Sequence, residues 1–305
     1  MPPDAPAVVG AAQPPPAWRV WLTATRPRTL SIAATPVLVG TALAWGEGAV
    51  PAWLPMLAAL GCAILIQVGT NLHNDAADFA RGADQPGRIG PLRVTAAGWA
   101  SPAAVRRATV LSFVAALLLG AYLVTVGGWP ILLAGVASLL AGWSYSGGRH
   151  PVSHSPWGEV LVLVFYGLVA VAGSHWLQAG RGSVNAWLAG LVVGLPAAAV
   201  LLVNNYRDLE ADLRNGRRTL AGQLGRERVR RLYAALMLLP FAILLLLAGH
   251  GLPGAWLGFV ALPICAALIR RLYRSEPGPQ LNLLLAGTAQ AGFLLGLLLS
   301  LGVLL

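Results

Sequence analysis

The chain has 305 residues, of which 57% are hydrophobic and only 10% are charged. Water-soluble domains carry about 25% charged residues, so this composition excludes an ordinary soluble globule and indicates a membrane protein. The formal net charge of +10 would suit a nucleic-acid partner, but every one of the 21 basic residues is arginine. Their placement follows a membrane topology instead, so no nucleic-acid partner is expected.

The start of the chain, residues 1–17, is rich in proline and alanine. A cleaved signal peptide has a basic segment ahead of an apolar core, and these residues lack that pattern. The composition is typical of a disordered tail. Residues 18–305 are therefore interpreted as a single transmembrane domain.

Nine apolar segments follow in chain order, and most are long enough to cross the hydrocarbon core of a bilayer. They cover residues 29–46, 53–73, 108–127, 129–145, 158–178, 185–205, 232–249, 255–270 and 281–303. The third and fourth are joined only by the Gly127-Gly128 turn. In the sixth, Gly190-x-x-x-Gly194 predicts a close contact between two helices. The sequence thus predicts an all-α polytopic membrane protein.

The arginines lie almost entirely on one side of this predicted topology. Twenty of the 21 fall on the side that also holds the N-terminus, and Arg181 falls on the other. Cytoplasmic loops collect positive charge. We therefore expect a bacterial inner-membrane protein with a cytoplasmic N-terminus and a periplasmic C-terminus. The long loops at 79–107 and 206–231 would form a polar cytoplasmic cap.

Two acidic stretches end the second and sixth apolar segments, on the predicted cytoplasmic side. They hold six of the 11 acidic residues of the chain: Asp75, Asp78, Asp84, Asp208, Glu210 and Asp212. Carboxylates at membrane depth are costly and are usually functional. Their oxygen atoms suit a hard cation, so the stretches suggest a site for Mg²⁺.

Amide side chains lie in line with several of these acids. A spacing of four residues places side chains on one helix face, and it relates Asn71 to Asp75, Asn74 to Asp78, and Asn204 to Asp208 and Asp212. Mg²⁺ is seldom held by protein alone, and substrate phosphate usually completes its coordination. A phosphorylated ligand is therefore predicted, and the neighbouring arginines suit a diphosphate. The alternative is a solvated cluster of helix caps and salt bridges.

Several motifs together resemble the UbiA superfamily of intramembrane aromatic prenyltransferases. They are the two acidic stretches, Arg26-Pro27-Arg28-Thr29-Leu30, Arg88-Ile89-Gly90-Pro91-Leu92-Arg93, Tyr145-Ser146-Gly147-Gly148, Gly158-Glu159, Asn215-Gly216-Arg217-Arg218-Thr219-Leu220 and Leu281-Asn282. The first stretch has Gly82-x-Asp84 where 4-hydroxybenzoate enzymes have an acid four residues after Asp78. This spacing is similar to the branch that prenylates 1,4-dihydroxy-2-naphthoate in menaquinone synthesis.

The resemblance implies a UbiA-type bundle of nine helices that uses Mg²⁺, a polyprenyl diphosphate and 1,4-dihydroxy-2-naphthoate, within membrane lipid. The implied catalytic residues are Asp75, Asp78, Asp208 and Asp212, and the implied metal ligands are these four with Asn74 and Asp84. The implied substrate-binding residues are Arg26, Arg28, Asn71, Asn74, Arg81, Arg88, Arg93, Tyr145, Arg149, Asn204, Asn205 and Arg207. Of these, Arg93 and Arg149 are the candidates for the carboxylate of the acceptor. The implied reaction joins the prenyl group to the naphthoate ring and releases diphosphate and CO₂.

Other functions stay open at this point. An enzyme of the same superfamily could prenylate another aromatic acid, such as 4-hydroxybenzoate, or a haem or chlorin ring. A transporter of a different class could bind its coupling ion with aspartate-rich helices, and it would show weak internal repeats or matched helix breaks. The two halves of the chain do share a layout, an Asn/Asp-rich helix end followed by an arginine-rich loop. That layout fits either class.

Overall fold

The computed structural model describes residues 15–82, 89–90 and 92–305. In this part of the chain the secondary structure is helical, with short connections, and it confirms the predicted all-α membrane fold. Residues 1–14 of the predicted tail lie outside the described residues. The first helix begins at Ala17, at the end of the predicted tail.

The α-helices follow one another in chain order with few long connections. Their bounds are α1 Ala17–Thr25, α2 Leu30–Gly46, α3 Trp53–Ala80, α4 Pro102–Ser146, α5 Gly158–Val162, α6 Ala170–Ala179, α7 Val184–Arg207, α8 Leu209–Arg214, α9 Leu220–Gly249, α10 Leu262–Tyr273 and α11 Leu281–Gly302. A π-helical segment, Leu163–Val169, joins α5 to α6, and a 3₁₀ segment, Pro253–Ala261, leads into α10.

Eight helical segments of the described chain are long and apolar enough to cross a membrane. One of them is α4, whose 45 residues would extend for about 67 Å if straight, roughly twice the hydrocarbon core. Gly128 has a φ of 68° and divides α4 into two helices at the predicted Gly127-Gly128 turn. The third and fourth predicted segments both lie in α4, and nine as the number of spans stays a prediction.

The helices continue beyond the apolar segments at the end that carries the acidic stretches. Asp75 and Asp78 lie in the last turns of α3, and α7 continues to Arg207. The prediction that residues 206–231 form a loop was wrong, because α8 and the first turns of α9 occupy most of this range. The Thr219 side chain accepts a hydrogen bond from the N–H of Gly222 and so caps the start of α9.

The helix α7 lies at the centre of the bundle, where it packs against α9, α11 and the π-helical segment. Small residues bring the backbones together. A Cβ atom on Gly194 would lie 2.8 Å from Cα of Gly167, and one on Gly190 would lie 3.1 Å from the Gly167 carbonyl oxygen. This confirms the close contact predicted for Gly190-x-x-x-Gly194. The second acidic stretch is thus anchored to the most buried helix.

A polar cluster ties the helices together at the opposite end of the bundle. The carboxylate of Glu47, directly after α2, accepts hydrogen bonds from Ser183 and Asn185 at the start of α7, at 2.8 and 3.0 Å. Its second oxygen lies 2.9 Å from Nε2 of His175 in α6. The two ends of the bundle are therefore different: one carries this structural cluster, and the other carries the acidic stretches.

Candidate active site

A cavity of about 730 Å³ begins at the acidic stretches and runs into the bundle. Its polar lining includes Asn74, Asp78, Arg93, Asn204, Arg207, Asp208, Asp212, Arg217 and Asn282, and its apolar lining includes Ala33, Pro36, Ala63, Ile66, Phe165, Leu201 and Leu285. Along α3, Ala63 precedes Asp78 by about 22 Å at 1.5 Å per residue. The cavity therefore joins a charged head to a long apolar wall.

In the first acidic stretch, Arg93 contacts both Asn74 and Asp78, the pair that was predicted to share a face of α3. Nη2 of Arg93 lies 3.1 Å from Oδ1 of Asn74 and 2.5 Å from Oδ2 of Asp78. Asp78 is fully buried, and its other oxygen, Oδ1, has no hydrogen-bond partner among the described residues. Arg81 and His154 lie near that oxygen, at 3.6 and 3.8 Å. The spacing-based prediction that Asn74 and Asp78 share a face is confirmed.

The second stretch repeats this arrangement at the end of α7. Nη2 of Arg207 lies 2.9 Å from Oδ1 of Asn204 and 2.6 Å from Oδ2 of Asp208. Nη1 of the same arginine donates to Oδ1 of Asn282 at 2.9 Å, and Asn282 in turn donates to the Ile89 carbonyl at 3.1 Å. In each Asn/Asp pair, one arginine thus contacts both members, and Arg26 also donates to Oδ1 of Asn74 at 3.3 Å. The arginine of the second pair also holds α11.

Arg217 connects the two stretches. Its Nη2 lies 3.0 Å from Oδ2 of Asp78, and its Nη1 lies 3.5 Å from Oδ1 of Asp212. Burial raises the pKa of the Asp212 carboxyl to about 6, although the charge of Arg217 acts in the opposite direction. Burial also acts to lower the pKa of Arg217, but the nearby carboxylates of Asp78 and Asp212 outweigh it and raise that pKa.

Asp75 has a different environment from the other predicted carboxylates. It is buried, and its oxygens accept hydrogen bonds from the backbone N–H groups of Val94 and Thr95 at 3.0 and 3.3 Å, and from the Thr95 hydroxyl. It does not line the cavity described above. These contacts hold the segment that follows Arg93 against α3, and so they stabilise the position of the Arg93 guanidinium.

The structure gathers most of the predicted substrate-binding residues around the cavity. Those that line it are Arg26, Arg28, Asn71, Asn74, Arg93, Tyr145, Asn204, Asn205 and Arg207. Arg81 and Arg149 are not in that lining. Arg81 donates to the carbonyls of Ser146 and Gly148, and Arg149 is exposed. The predicted residues Asp84 and Arg88 lie outside the described residues.

Sequence reasoning gave no site role to several polar residues of the site, although Arg217 and Asn282 stand in motifs that carry the family resemblance. Arg217 and His154 approach Asp78 from other segments, and Asn282 binds Arg207 from α11. Deeper in the cavity, Tyr166 donates to Gln67, whose amide donates to Asn71 at 3.3 Å. A signal existed for Asn282 and Gln67, because each is an amide inside an otherwise apolar segment. No comparable signal marks His154.

The residues of the charged head fit Mg²⁺. No group of three or more His, Cys, Asp or Glu side chains in the described chain is close enough to hold a metal by itself. Mg²⁺ does not require such a group, because one or two carboxylates and substrate phosphates usually bind it. Oδ1 of buried Asp78 accepts no hydrogen bond from a described residue, although Arg81 and His154 lie within 4 Å of it, and a carboxylate oxygen is a ligand of the right kind. Asn74 and Asn204 add neutral oxygens to the same lining.

Comparisons with known proteins agree with this site. Residues 33–288 match the model of the UbiA prenyltransferase family. The 1,4-dihydroxy-2-naphthoate octaprenyltransferase of Escherichia coli (strain K12) is 35% identical over 94% of this chain and 96% of its own length. The enzyme of that name from Mycobacterium leprae (strain TN) is 33% identical, over 89% and 91%.

The fold also has solved counterparts. A UbiA homolog from Archaeoglobus fulgidus, solved bound to DMAPP and Mg²⁺, superimposes with a TM-score of 0.64 over 93% of this chain and 98% of its own. The identity is 15%, so this likeness concerns the fold alone. The family match covers most of the chain and coincides with the cavity and both acidic stretches. The chain belongs to the UbiA prenyltransferase family.

Proposed function

We propose that this protein transfers a polyprenyl group from a polyprenyl diphosphate to 1,4-dihydroxy-2-naphthoate, and that it releases diphosphate and CO₂ to give demethylmenaquinol. The observation that carries the proposal is the single cavity in which both arginine-clamped Asn/Asp pairs meet a long apolar wall. Curated relatives named for this reaction cover nearly the whole chain. They favour this acceptor over 4-hydroxybenzoate, and an enzyme over a transporter.

The polar head of the cavity would bind the diphosphate. Asp78, Asp208 and Asp212, with Asn74 and Asn204, would hold Mg²⁺ there. When bound, Mg²⁺ would neutralise the diphosphate and stabilise its departure. Arg93, Arg207 and Arg217 neutralise the carboxylates of the site. Phosphate oxygens accept bidentate hydrogen bonds from guanidinium groups, so arginines at this position suit a diphosphate. Asp75 would hold the loop that carries Arg93 and would bind no metal.

The apolar wall would bind the prenyl chain and keep water away from the reacting carbon. The bond between the allylic carbon and the diphosphate oxygen breaks, and its electron pair leaves with the diphosphate. The electron-rich ring carbon that carries the carboxylate forms the new bond. The ring then regains its aromaticity by releasing CO₂, whose C–C electron pair returns to the ring. Tyr145 and Phe165 line this region, and their ring faces would stabilise the developing allylic cation.

The carboxylate of the acceptor needs a cation in the cavity. Of the two predicted candidates, Arg149 lies away from the cavity lining, and Arg93 is paired with Asp78. Arg28 also lines the cavity, and no hydrogen bond or ion pair joins it to another described residue. Its guanidinium would therefore donate hydrogen bonds to the carboxylate without breaking an existing pair, and we assign that role to Arg28.

The protein is a multi-pass membrane protein, and the arginine distribution supports one orientation in the plasma membrane. Twenty of 21 arginines lie on the side of the acidic stretches in the nine-span topology. That side would face the cytoplasm. The N-terminus would then be cytoplasmic and the C-terminus periplasmic, so the diphosphate would enter from the cytoplasm.

Product analysis in membranes tests the proposal. Membranes that contain the protein would receive Mg²⁺, a polyprenyl diphosphate and 1,4-dihydroxy-2-naphthoate labelled with ¹³C in its carboxyl group. We expect a prenylated naphthol without the label, together with labelled CO₂ in equal amount. Membranes with the Asp78→Asn variant serve as the control. A product that retains the carboxyl label, or product formation by the control at the wild-type rate, would contradict the proposal.

A further inference from the structure

Glu159 is a buried carboxyl that the mechanism above does not use. It lies at the start of α5 and is 4% exposed. Its Oε1 accepts a hydrogen bond from Nδ2 of Asn205 at 2.9 Å. Its Oε2 is buried and has no hydrogen-bond partner among the described residues. An ionisable group in a membrane-spanning segment is costly, and a half-satisfied one more so, which makes a functional role the first hypothesis.

The position of Glu159 is directly behind the wall of the cavity. Asn205 lines the cavity, whereas Glu159 does not. The Glu159 oxygen accepts this hydrogen bond, and the NH₂ group of an amide can only donate. The NH₂ group of Asn205 therefore points toward Glu159, and this leaves the carbonyl oxygen Oδ1 for the cavity side. No described residue donates a hydrogen bond to Oδ1 of Asn205, so the oxygen is available to a ligand.

Helical geometry separates this oxygen from the charged head. Asn204 and Asp208 share one face of the helix end, whereas Asn205 is rotated from Asn204 by about 100°. The groups that a substrate offers also differ in what they can bind. Diphosphate and carboxylate oxygens accept hydrogen bonds, as Oδ1 of Asn205 does, so they would be repelled. The ring hydroxyls of an aromatic acceptor donate, and they match this oxygen.

We propose that Glu159 is a positioning residue: it orients the Asn205 amide so that Oδ1 accepts a hydrogen bond from a ring hydroxyl of the aromatic acceptor. This rests on the proposed function. The hydrogen bond fixes which ring carbon faces the allylic carbon, and it increases electron density in the ring that attacks. Misplacement of reacting atoms by about 1 Å can cost about 100-fold in rate, so the orientation of one amide is sufficient to matter.

The kinetic test compares a variant that removes the acceptor behind Asn205 with one that keeps it. Residues that orient metal ligands typically cost about 10–100-fold when changed, and a residue that orients a substrate-binding amide is expected to have an effect of the same size. We expect Glu159→Leu to lower kcat by that amount, with KM for the prenyl diphosphate and the Mg²⁺ requirement unchanged. Glu159→Gln retains a carbonyl oxygen for Asn205 and should keep most of the activity. The double variant Glu159→Leu/Asn205→Leu should be no slower than Asn205→Leu alone.

A matched control separates positioning from general stability. Tyr233 and Thr288 form another buried hydrogen bond, of 2.8 Å, between α9 and α11 and away from the cavity described above. Tyr233→Phe should lower thermal stability in detergent and leave kcat unchanged. If Glu159→Leu does not accumulate in membranes, Asn205→Leu must still lower kcat without a change in the Mg²⁺ requirement.

Four outcomes would overturn the inference. The first is wild-type kinetics for Glu159→Leu or for Asn205→Leu, and the second is an equal loss of kcat in Glu159→Gln and Glu159→Leu. The third is a double variant in which the two losses of kcat multiply, and the fourth is a raised Mg²⁺ requirement in these variants. The wild type is assayed in the same membranes. If it prenylates a different hydroxylated aromatic acid, the proposed function fails, and the same comparison of Glu159 variants is then made with that acid.

Discussion

Asp78 and Arg217 form the contact that joins the two halves of the site. Nη2 of Arg217, from the segment between α8 and α9, lies 3.0 Å from Oδ2 of Asp78 at the end of α3. The same guanidinium lies 3.5 Å from Asp212, so one cation bridges carboxylates from both acidic stretches. Like charges would otherwise repel one another in this buried head. The shape of the charged head therefore depends on Arg217 as much as on the carboxylates.

Loss of this bridge should impair catalysis more than binding of the acceptor. We expect Arg217→Gln to lower kcat/KM for the prenyl diphosphate by about 100-fold or more, because a buried charge pair loses one partner and the diphosphate loses a donor. The adjacent Arg218 is exposed and lies outside the cavity lining, so Arg218→Gln is the matched control. Steady-state kinetics in membranes would check this. Equal kinetics for the two variants would remove Arg217 from the site.

The carboxylates should divide into two classes by their metal dependence. Asp78→Asn and Asp208→Asn should each lower kcat by about 100–1,000-fold, and excess Mg²⁺ should not restore it. Asp75→Asn instead disturbs the hydrogen bonds to Val94 and Thr95. It should lower thermal stability and leave the Mg²⁺ concentration for half-maximal activity unchanged. A raised Mg²⁺ requirement in Asp75→Asn would show that this residue binds the metal after all.

The pH dependence of the metal requirement should reflect Asp212. Burial raises the pKa of its carboxyl to about 6, so the group loses its negative charge as the pH falls through that value. Protons then compete with Mg²⁺. We expect the Mg²⁺ concentration for half-maximal activity to rise between about pH 7.5 and about pH 5, and to be high and nearly independent of pH in Asp212→Asn. A constant requirement in the wild type would contradict the assignment of Asp212.

The sequence predicted the helix-borne part of the site well, because helical spacing is local. The spacing of four residues that aligned Asn74 with Asp78 also aligned Asn204 with Asp208, and both pairs meet at one arginine each. The same rule could not separate Asp75 from the metal ligands. Asp75 is distinguished by hydrogen bonds from Val94 and Thr95, which are distant from it in sequence. Helical spacing does not reveal that the chain folds back to place these residues beside Asp75.

Contacts between distant segments account for the other differences. Arg217 approaches Asp78 only because α8 and the capped start of α9 replace the loop predicted at 206–231. Tyr166 lies in the π-helical segment, and regular α-helical periodicity does not predict which way such a segment turns its side chains. Its hydrogen bond to Gln67 joins two apolar segments whose hydrophobic patterns contain no mark of the contact.

The orientation in the membrane can be measured directly. A reporter fused after Leu305 should be periplasmic, and one inserted at Asn215, in the turn between α8 and α9, should be cytoplasmic. The physical reason is the distribution of 20 arginines on one side and one on the other. Alkaline phosphatase and green fluorescent protein fusions report opposite sides and control for each other. A cytoplasmic C-terminus would require one span more or fewer than nine.

Competition between two acceptors tests the central claim most directly. Membranes with the protein would receive equal concentrations of 1,4-dihydroxy-2-naphthoate and 4-hydroxybenzoate, with Mg²⁺ and a limiting amount of one polyprenyl diphosphate. Mass spectrometry would measure both products. The proposed function predicts that the decarboxylated, prenylated naphthol takes nearly all of the prenyl groups. Predominant prenylation of 4-hydroxybenzoate would contradict the assignment to menaquinone synthesis, even with the metal site intact.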